Sequence, residues 1–269
     1  MIRASITGIG LAAPGLADWD AARRVLTGEA VYVHAPLVLR PVQALPPAER
    51  RRAGPLIRLS IAIAQEAVAQ AGVDVTTLAS VFASADGDSE NLHQICLALA
   101  SDAPEISPTR FHNSVQNAPS GYWSIAMQSR APTTTLNGLD TVFATALVEA
   151  ATQATAEARD VLVIACDFPM PPPLHALHPL PDGAAVALVL APGDACNSLA
   201  ALDLAMVPSS DAPATALREP GLDALRLSNP ALRALPLLCS VARTEDATIV
   251  LDLDDVQALQ VRIRAGRAR

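Results

Sequence analysis

Residues 131–158 read APTTTLNGLDTVFATALVEAATQATAEA, and three local preferences follow one another within them. Ala131-Pro132 opens a run from Thr133 to Leu136 whose β-branched threonines suit a pleated strand. Asn137-Gly138 then marks its end with a turn. From Thr141 to Ala158 the chain has no glycine or proline, is rich in alanine and is amphipathic, so a long helix packed against a sheet is predicted. Strand, turn and helix in that order is the repeating unit of α/β folds.

The same alternation extends outward from this stretch. Arg3 to Thr7 predicts a short strand ending in Gly8-Ile9-Gly10, followed by a helix capped by Asp18 or Asp20, running to Leu26 and closed by Gly28. The proline-rich stretch from Pro36 to Pro55 cannot hold a long regular element and reads as a surface loop. Between Leu56 and Ala71 the residues Ile57, Ile61, Ala64, Val68 and Ala71 recur at helical spacing, with Gly72 as the stop. Ser80 to Ala85 reads as a buried strand, Asp86-Gly87-Asp88 as a turn, and Ser89 to Leu99 as a helix. Val161 to Cys166 and Ala184 to Ala191 are further buried strands, separated by the proline-rich segment 169–181. Beyond Pro192 the pattern weakens to a strand at Leu199 to Val207, partial helix at Ala212 to Leu227 and a strand at Thr248 to Leu253.

The 269 residues are 51% hydrophobic and 17% charged, which fits a large buried core and opposes disorder. All 19 basic residues are arginines, so a Schiff-base lysine and the lysine of a phosphate-binding loop are both excluded. A net charge of -8 argues against nucleic acid as a partner. Met1 to Gly10 has no signal-peptide pattern and no apolar run is long enough to span a bilayer, so a cytoplasmic protein is expected. Cys96, Cys166, Cys196 and Cys239 are widely spaced, with no CxxC pair, and suggest neither a disulfide framework nor zinc. They are expected to be small buried hydrophobes, and no cofactor is expected.

Four segments, ITGIGLAAPG (6–15) followed by Trp19 and Gly28, SPTRFHNSVQNAPSGYWSI (107–125), APTTTLNGLDTVFATALVEAA (131–151) and DGAAVALVLAP (182–192), resemble in order and spacing the amino-terminal half of β-ketoacyl synthases. The resemblance covers Ile2 to Val207. It implies a thiolase-like layered α/β sandwich of which this chain supplies essentially one half, residues 1–207, with residues 208–269 as a carboxyl-terminal extension packed on it. Active relatives carry a cysteine at the amino end of the helix after the Ala-Pro strand, where the helix dipole and free N–H groups favour a thiolate. Counted without a gap, Asp140 stands there. A carboxylate is a poor nucleophile toward a thioester. The two histidines that the family's second half contributes also have no counterpart, because no histidine follows His178.

The resemblance therefore implies a non-catalytic subunit of the chain-length-factor type, as found beside the ketosynthases of aryl polyene and xanthomonadin-type clusters. Such a factor forms a heterodimer with a full β-ketoacyl synthase, shapes its acyl tunnel in polyketide or fatty-acid-like biosynthesis, and meets acyl carrier protein through the complex. Phe111, Asn117, Tyr122, Trp123, Thr133 and Thr135 are the expected partner interface, and Ser89, His93 and Leu97 the expected tunnel end. Asp140 itself reads as a helix cap or as a leftover of decarboxylation chemistry, with no base evident beside it.

Other residues invite plainer readings. Asp86, Asp88 and Glu90 suggest turn and helix capping, since calcium would need a more regular set of oxygen ligands. His175 and His178 lie in a proline-rich loop that forbids a helical metal site, so they read as surface histidines. Arg50, Arg51 and Arg52 read as a solvated run or as a seat for an acidic carrier protein or a partner's carboxylates, while Asp252, Asp254 and Asp255 read as a solvated edge or a helix cap. Two competing functions remain open: a thioester hydrolase or decarboxylase using Asp140 with His93, His112 or a loop histidine, and a homodimeric scaffold that binds a carrier protein.

Overall fold

The computed structural model describes residues 1–209 and 213–266. Strands form at β1 (Ile2–Ala12), β2 (Ala79–Ser84), β3 (Thr133–Asn137), β4 (Val161–Asp167), β5 (Ala184–Pro192), β6 (Ala200–Pro208), β7 (Ala247–Asp252) and β8 (Gln257–Ala265). They make an eight-stranded sheet in the order β3-β2-β4-β5-β1-β6-β8-β7. β2 runs parallel to both β3 and β4, whereas the pairings from β4 to β7 across the rest of the sheet are antiparallel.

Helices α1 (Trp19–Leu26), α2 (Pro47–Arg52), α3 (Pro55–Ala71), α4 (Ser89–Leu99), α5 (Pro108–Asn113), α6 (Ala118–Met127), α7 (Val142–Glu157), α8 (Pro220–Ser228) and α9 (Leu235–Arg243) fill the connections. α3 and α6 cover one face of the sheet, where Ile57, Ile61, Tyr122 and Trp123 share a core with Phe82 and Ile164. α1, α7, α8, α9 and a 3₁₀ turn at Pro230–Ala234 cover the other, where Leu147, Leu232 and Leu238 join Ile6, Val163 and Leu188. A helical layer on each side leaves the central strands no solvent face, which is why β4 and β5 read as continuous apolar runs.

β1 is longer than the predicted Arg3 to Thr7, and a bulge explains why. The pairing with β5 shifts between Ile6 and Gly8. The extra residue moves the inward set from even to odd positions, so Ala4, Ile6, Ile9 and Leu11 all reach the same core. Gly8 and Gly10 thereby face α3. A Cβ on Gly8 would lie 2.0 Å from the Ala67 carbonyl oxygen, and one on Gly10 2.0 Å from that of Ile63. The glycines that seemed to end the strand instead let a helix backbone seat directly on it.

Pro47 opens the short helix α2 inside the expected loop, because proline's fixed φ suits a first helical turn. The expected helix between Ala212 and Leu227 is α8, beginning at Pro220; Ala212 lies outside the described residues. α9 and β8 were not anticipated. β8 bridges β6 and β7, while α8, α9 and the 3₁₀ turn lie on the α7 side of the sheet. The segment after β6 therefore extends the sheet at one end and covers part of its α7 side.

Candidate functional site

The carboxyl ends of the parallel strands β2, β3 and β4 open on one edge of the sheet. Asp86 follows β2, and the loop after β4 carries His178. Past β3 the chain turns through Gly138 and Leu139, whose φ of 46° is left-handed, into a 3₁₀ turn at Leu139–Thr141 and then α7. Asp140 lies on that turn. Neither the 3₁₀ turn nor α7 has a side-chain cap, so Asp140 is not the helix cap that its position suggested.

Its carboxylate turns instead toward His178. His178 Nδ1 lies 2.6 Å from Asp86 Oδ2 and His178 Nε2 lies 3.4 Å from Asp140 Oδ1. Arg233, from the 3₁₀ turn at Pro230–Ala234, approaches Asp140 at 3.8 Å. The Asp86 side chain is only 8% exposed and His178 21%, whereas Asp140 is 64% exposed. Burial alone lowers the imidazole's affinity for its proton; the hydrogen bond and charge of Asp86, then Asp140, outweigh it and hold His178 above its ordinary value. His178 is thus no free surface histidine, and a titratable partner does stand beside Asp140. Sequence reading missed this because Asp86 and His178 lie 92 residues apart.

Deeper in the same edge, Asp167 ends β4 fully buried. Its Oδ1 accepts from Ser84 Oγ at 2.7 Å and from the Ala85 amide at 2.6 Å, and its Oδ2 has no partner among the described residues. Burial pushes its pKa up to about 6 despite those two donors, and the nearby Asp86 charge adds to the effect. Because the folded value lies above the unfolded one, the folded state holds an extra proton between them, and stability falls as pH rises through that window. Relative to Asp167→Asn, which keeps the Oδ1 acceptor, the native chain is expected to lose about 2 kcal/mol between pH 4 and pH 7. Chemical denaturation of both proteins across that range checks this; parallel curves refute it.

Asp88 does cap its helix, accepting from the Asn91 amide at 3.1 Å. Cys166 is buried as expected and burial raises its thiol pKa, which leaves it unreactive. Cys96 and Cys196 are exposed, contrary to expectation. Arg50 is committed to Gln43 and to the Leu45 carbonyl, and Arg52 pairs with Glu49, so the arginine run is mostly engaged locally. Among the described residues no group of three His, Cys, Asp or Glu side chains is arranged to hold a metal ion. No helix among them is long and apolar enough to cross a membrane.

The expected interface residues divide into two sets. Phe111 is 63% exposed, Asn117 and Thr133 are exposed and Thr135 is half-buried. Tyr122 and Trp123 are each 1% exposed inside the α3–α6 core, which corrects their assignment to a partner surface. They were misread because the aromatic cluster spans α5 and α6, and only the α6 pair turns inward. Of the expected tunnel-end residues, Ser89 is buried at the start of α4, His93 is half-buried and Leu97 is exposed. A small pocket of about 10 Å³, room for little more than one water, lies between α3, β2, β3 and α6, lined by Leu56, Phe82, Gly87, Gln116 and Thr135 among others. Ser89, His93 and Leu97 are not among its lining residues.

The comparisons with known proteins bear on this arrangement. The model of the β-ketoacyl synthase N-terminal domain matches residues 18–230. Among solved structures, the ketosynthase ApeO in complex with its chain length factor ApeC, from Xenorhabdus doucetiae, superposes with a TM-score of 0.73 at 23% identity, over 97% of this chain and 100% of that one. The AntDE:AntF complex, a type II acyl-carrier protein with its ketosynthase bound to the hexaketide, gives 0.78 at 13% identity over 98% and 99%. A β-ketoacyl synthase from Burkholderia phymatum gives 0.70 at 13%, over 99% and 100%. No curated protein matches. These likenesses establish the thiolase-like fold, and the matched domain accounts for most of the sequence: the chain belongs to the β-ketoacyl synthase family.

Proposed function

We propose that this chain is a chain-length-factor-like subunit that pairs with a full β-ketoacyl synthase, bounds its acyl tunnel and performs no condensation itself. The observation that carries this reading is Asp140. At the position where the family resemblance expects a nucleophilic cysteine, the chain holds a carboxylate already engaged by His178. Residues 208–269 replace the second half of a full synthase as the cover of α7, and they contribute no histidine.

The surface supports a partner. β3 is an edge strand of the sheet, so one row of its backbone N–H and C=O groups has no strand partner. Elsewhere on the surface, α4 buries only Ser89 and leaves Leu92, Leu97 and Leu99 exposed, and α5 exposes Phe111. The edge strand offers backbone pairing, and the exposed apolar side chains of α4 and α5 offer area to bury, to a second subunit. Acyl carrier protein is then met through the complex, in polyketide, aryl polyene or fatty-acid-like synthesis.

Asp140→Cys tests the non-catalytic part. The isolated variant is expected to show no acyl elongation, because the histidines that assist condensation are absent; measurable elongation overturns the reading. A second reading, a thioester hydrolase or decarboxylase, draws on the placement of His178 beside Asp140. Yet both imidazole nitrogens already face carboxylates, which leaves no free lone pair to take a proton from a nucleophile. Turnover of a malonyl or acyl thioester by the purified chain, lost in Asp140→Asn, is the result that favours it.

A further inference from the structure

His178 connects three separate turns. Asp86 comes from the turn between β2 and α4, Asp140 from the turn before α7, and His178 from the proline-rich loop between β4 and β5. Arg233 ties the fourth segment, the 3₁₀ turn at Pro230–Ala234, to the same Asp140. A neutral imidazole has one N–H and one lone pair, so it can satisfy a carboxylate at only one nitrogen. Here a carboxylate oxygen faces each nitrogen. The imidazolium alone attracts both, through the hydrogen bond to Asp86 and the ion pair with Asp140; either neutral tautomer sets a lone pair against an anion or gives up the charge that holds Asp140.

We propose that His178 is a protonation-dependent clasp that seats the proline-rich loop across the position of the lost nucleophile and so forms part of the docking surface for the synthase. Two exposed apolar side chains adjoin the clasp in sequence: Leu139, 68% exposed, precedes Asp140, and Leu177, 79% exposed, precedes His178. Closing the clasp draws the two turns that carry them together. The link to docking rests on the pairing proposed above, whereas the clasp itself does not.

The groups facing His178 set the sign. Asp86 and Asp140 contact it directly, Arg233 partly neutralises Asp140, and buried Asp167 stands near enough to feel the charge of Asp86. His175 lies on the same loop. With the imidazolium present, the two contacting carboxylates and Arg233 sum to no net charge; on deprotonation one negative charge remains. The contact is therefore complete below about pH 6.5, the ordinary histidine value, and is lost as pH rises through the higher folded value.

The test uses the full chain. NMR titration of the His178 imidazole is expected to give a midpoint above that of an exposed histidine, lowered in Asp86→Asn. Hydrogen exchange in residues 169–181, corrected for the intrinsic pH dependence, is expected to speed up about tenfold between pH 6 and pH 9 in the native chain and by less than about twofold in His178→Gln. Because Asp86 is buried and its loss threatens folding, the exposed Asp140→Asn provides a second variant; it too is expected to flatten the profile. A His178 midpoint at or below the ordinary value, or loop exchange with no pH dependence in the native chain, overturns the clasp. Light scattering with the synthase at pH 6 and pH 9 separates the two proposals. A complex that weakens about tenfold at pH 9 supports the docking role, a complex indifferent to pH removes it, and no complex at either pH removes the pairing itself.

Discussion

Phe111→Asp is expected to weaken binding of the partner synthase at least about 30-fold while leaving the lone chain's stability within about 0.5 kcal/mol. Phe111 is 63% exposed on the short helix α5, so its ring contributes little to the chain's own core. An aromatic side chain left in water is the kind of anchor whose loss costs an interface about 2 kcal/mol or more. The charge adds desolvation to the lost contact. Titration calorimetry against the synthase, with denaturant melts of the variant, separates the two quantities. Undiminished affinity would remove α5 from the interface.

The opposite result is expected one helix later. Trp123→Ala is expected to destabilise the chain by about 3–5 kcal/mol, because its side chain is 1% exposed among α3, α6 and the sheet and its removal leaves a large cavity. The buried indole Nε1 has no hydrogen-bond partner among the described residues, so Trp123→Phe, which removes that donor while retaining a ring, is expected to cost much less than the alanine variant. Denaturant midpoints of the three proteins decide it. A small effect of alanine would mean that Trp123 is not core, and the interface assignment would return. Tyr122 is held in the same core, with its hydroxyl donating to Asn113 Oδ1 at 3.0 Å.

Phe111 and Trp123 also show where reading the sequence succeeds and where it stops. Periodicity located α3, α4 and α7 and the buried strands β2, β4 and β5, because each is an apolar run bounded by glycine, proline or a capping carboxylate. It did not say which face of the aromatic segment turns inward, since α5 and α6 are short and joined by a bend. The bulge in β1 was hidden because Gly8 and Gly10 read locally as a strand end, and only the α3 backbone above them explains both. β8 did carry a legible signal: Leu259, Val261 and Ile263 alternate with Gln260, Arg262 and Arg264. The Asp86–His178–Asp140 cluster carried none, because three turns distant in sequence meet only when β2, β3 and β4 lie side by side. Its parts read separately as a turn, a surface histidine and a helix cap, and two of those three readings changed once the strands were placed.

The non-catalytic half of a heterodimer, as proposed for this chain, must form a stable complex of fixed stoichiometry with a synthase. Absolute mass by light scattering, for the chain expressed alone and coexpressed with the ketosynthase encoded nearest to it, measures this. A one-to-one complex is the predicted result, most clearly if the lone chain aggregates through its exposed β3 edge and α4 leucines. A well-behaved monomer or homodimer that ignores the ketosynthase would contradict it.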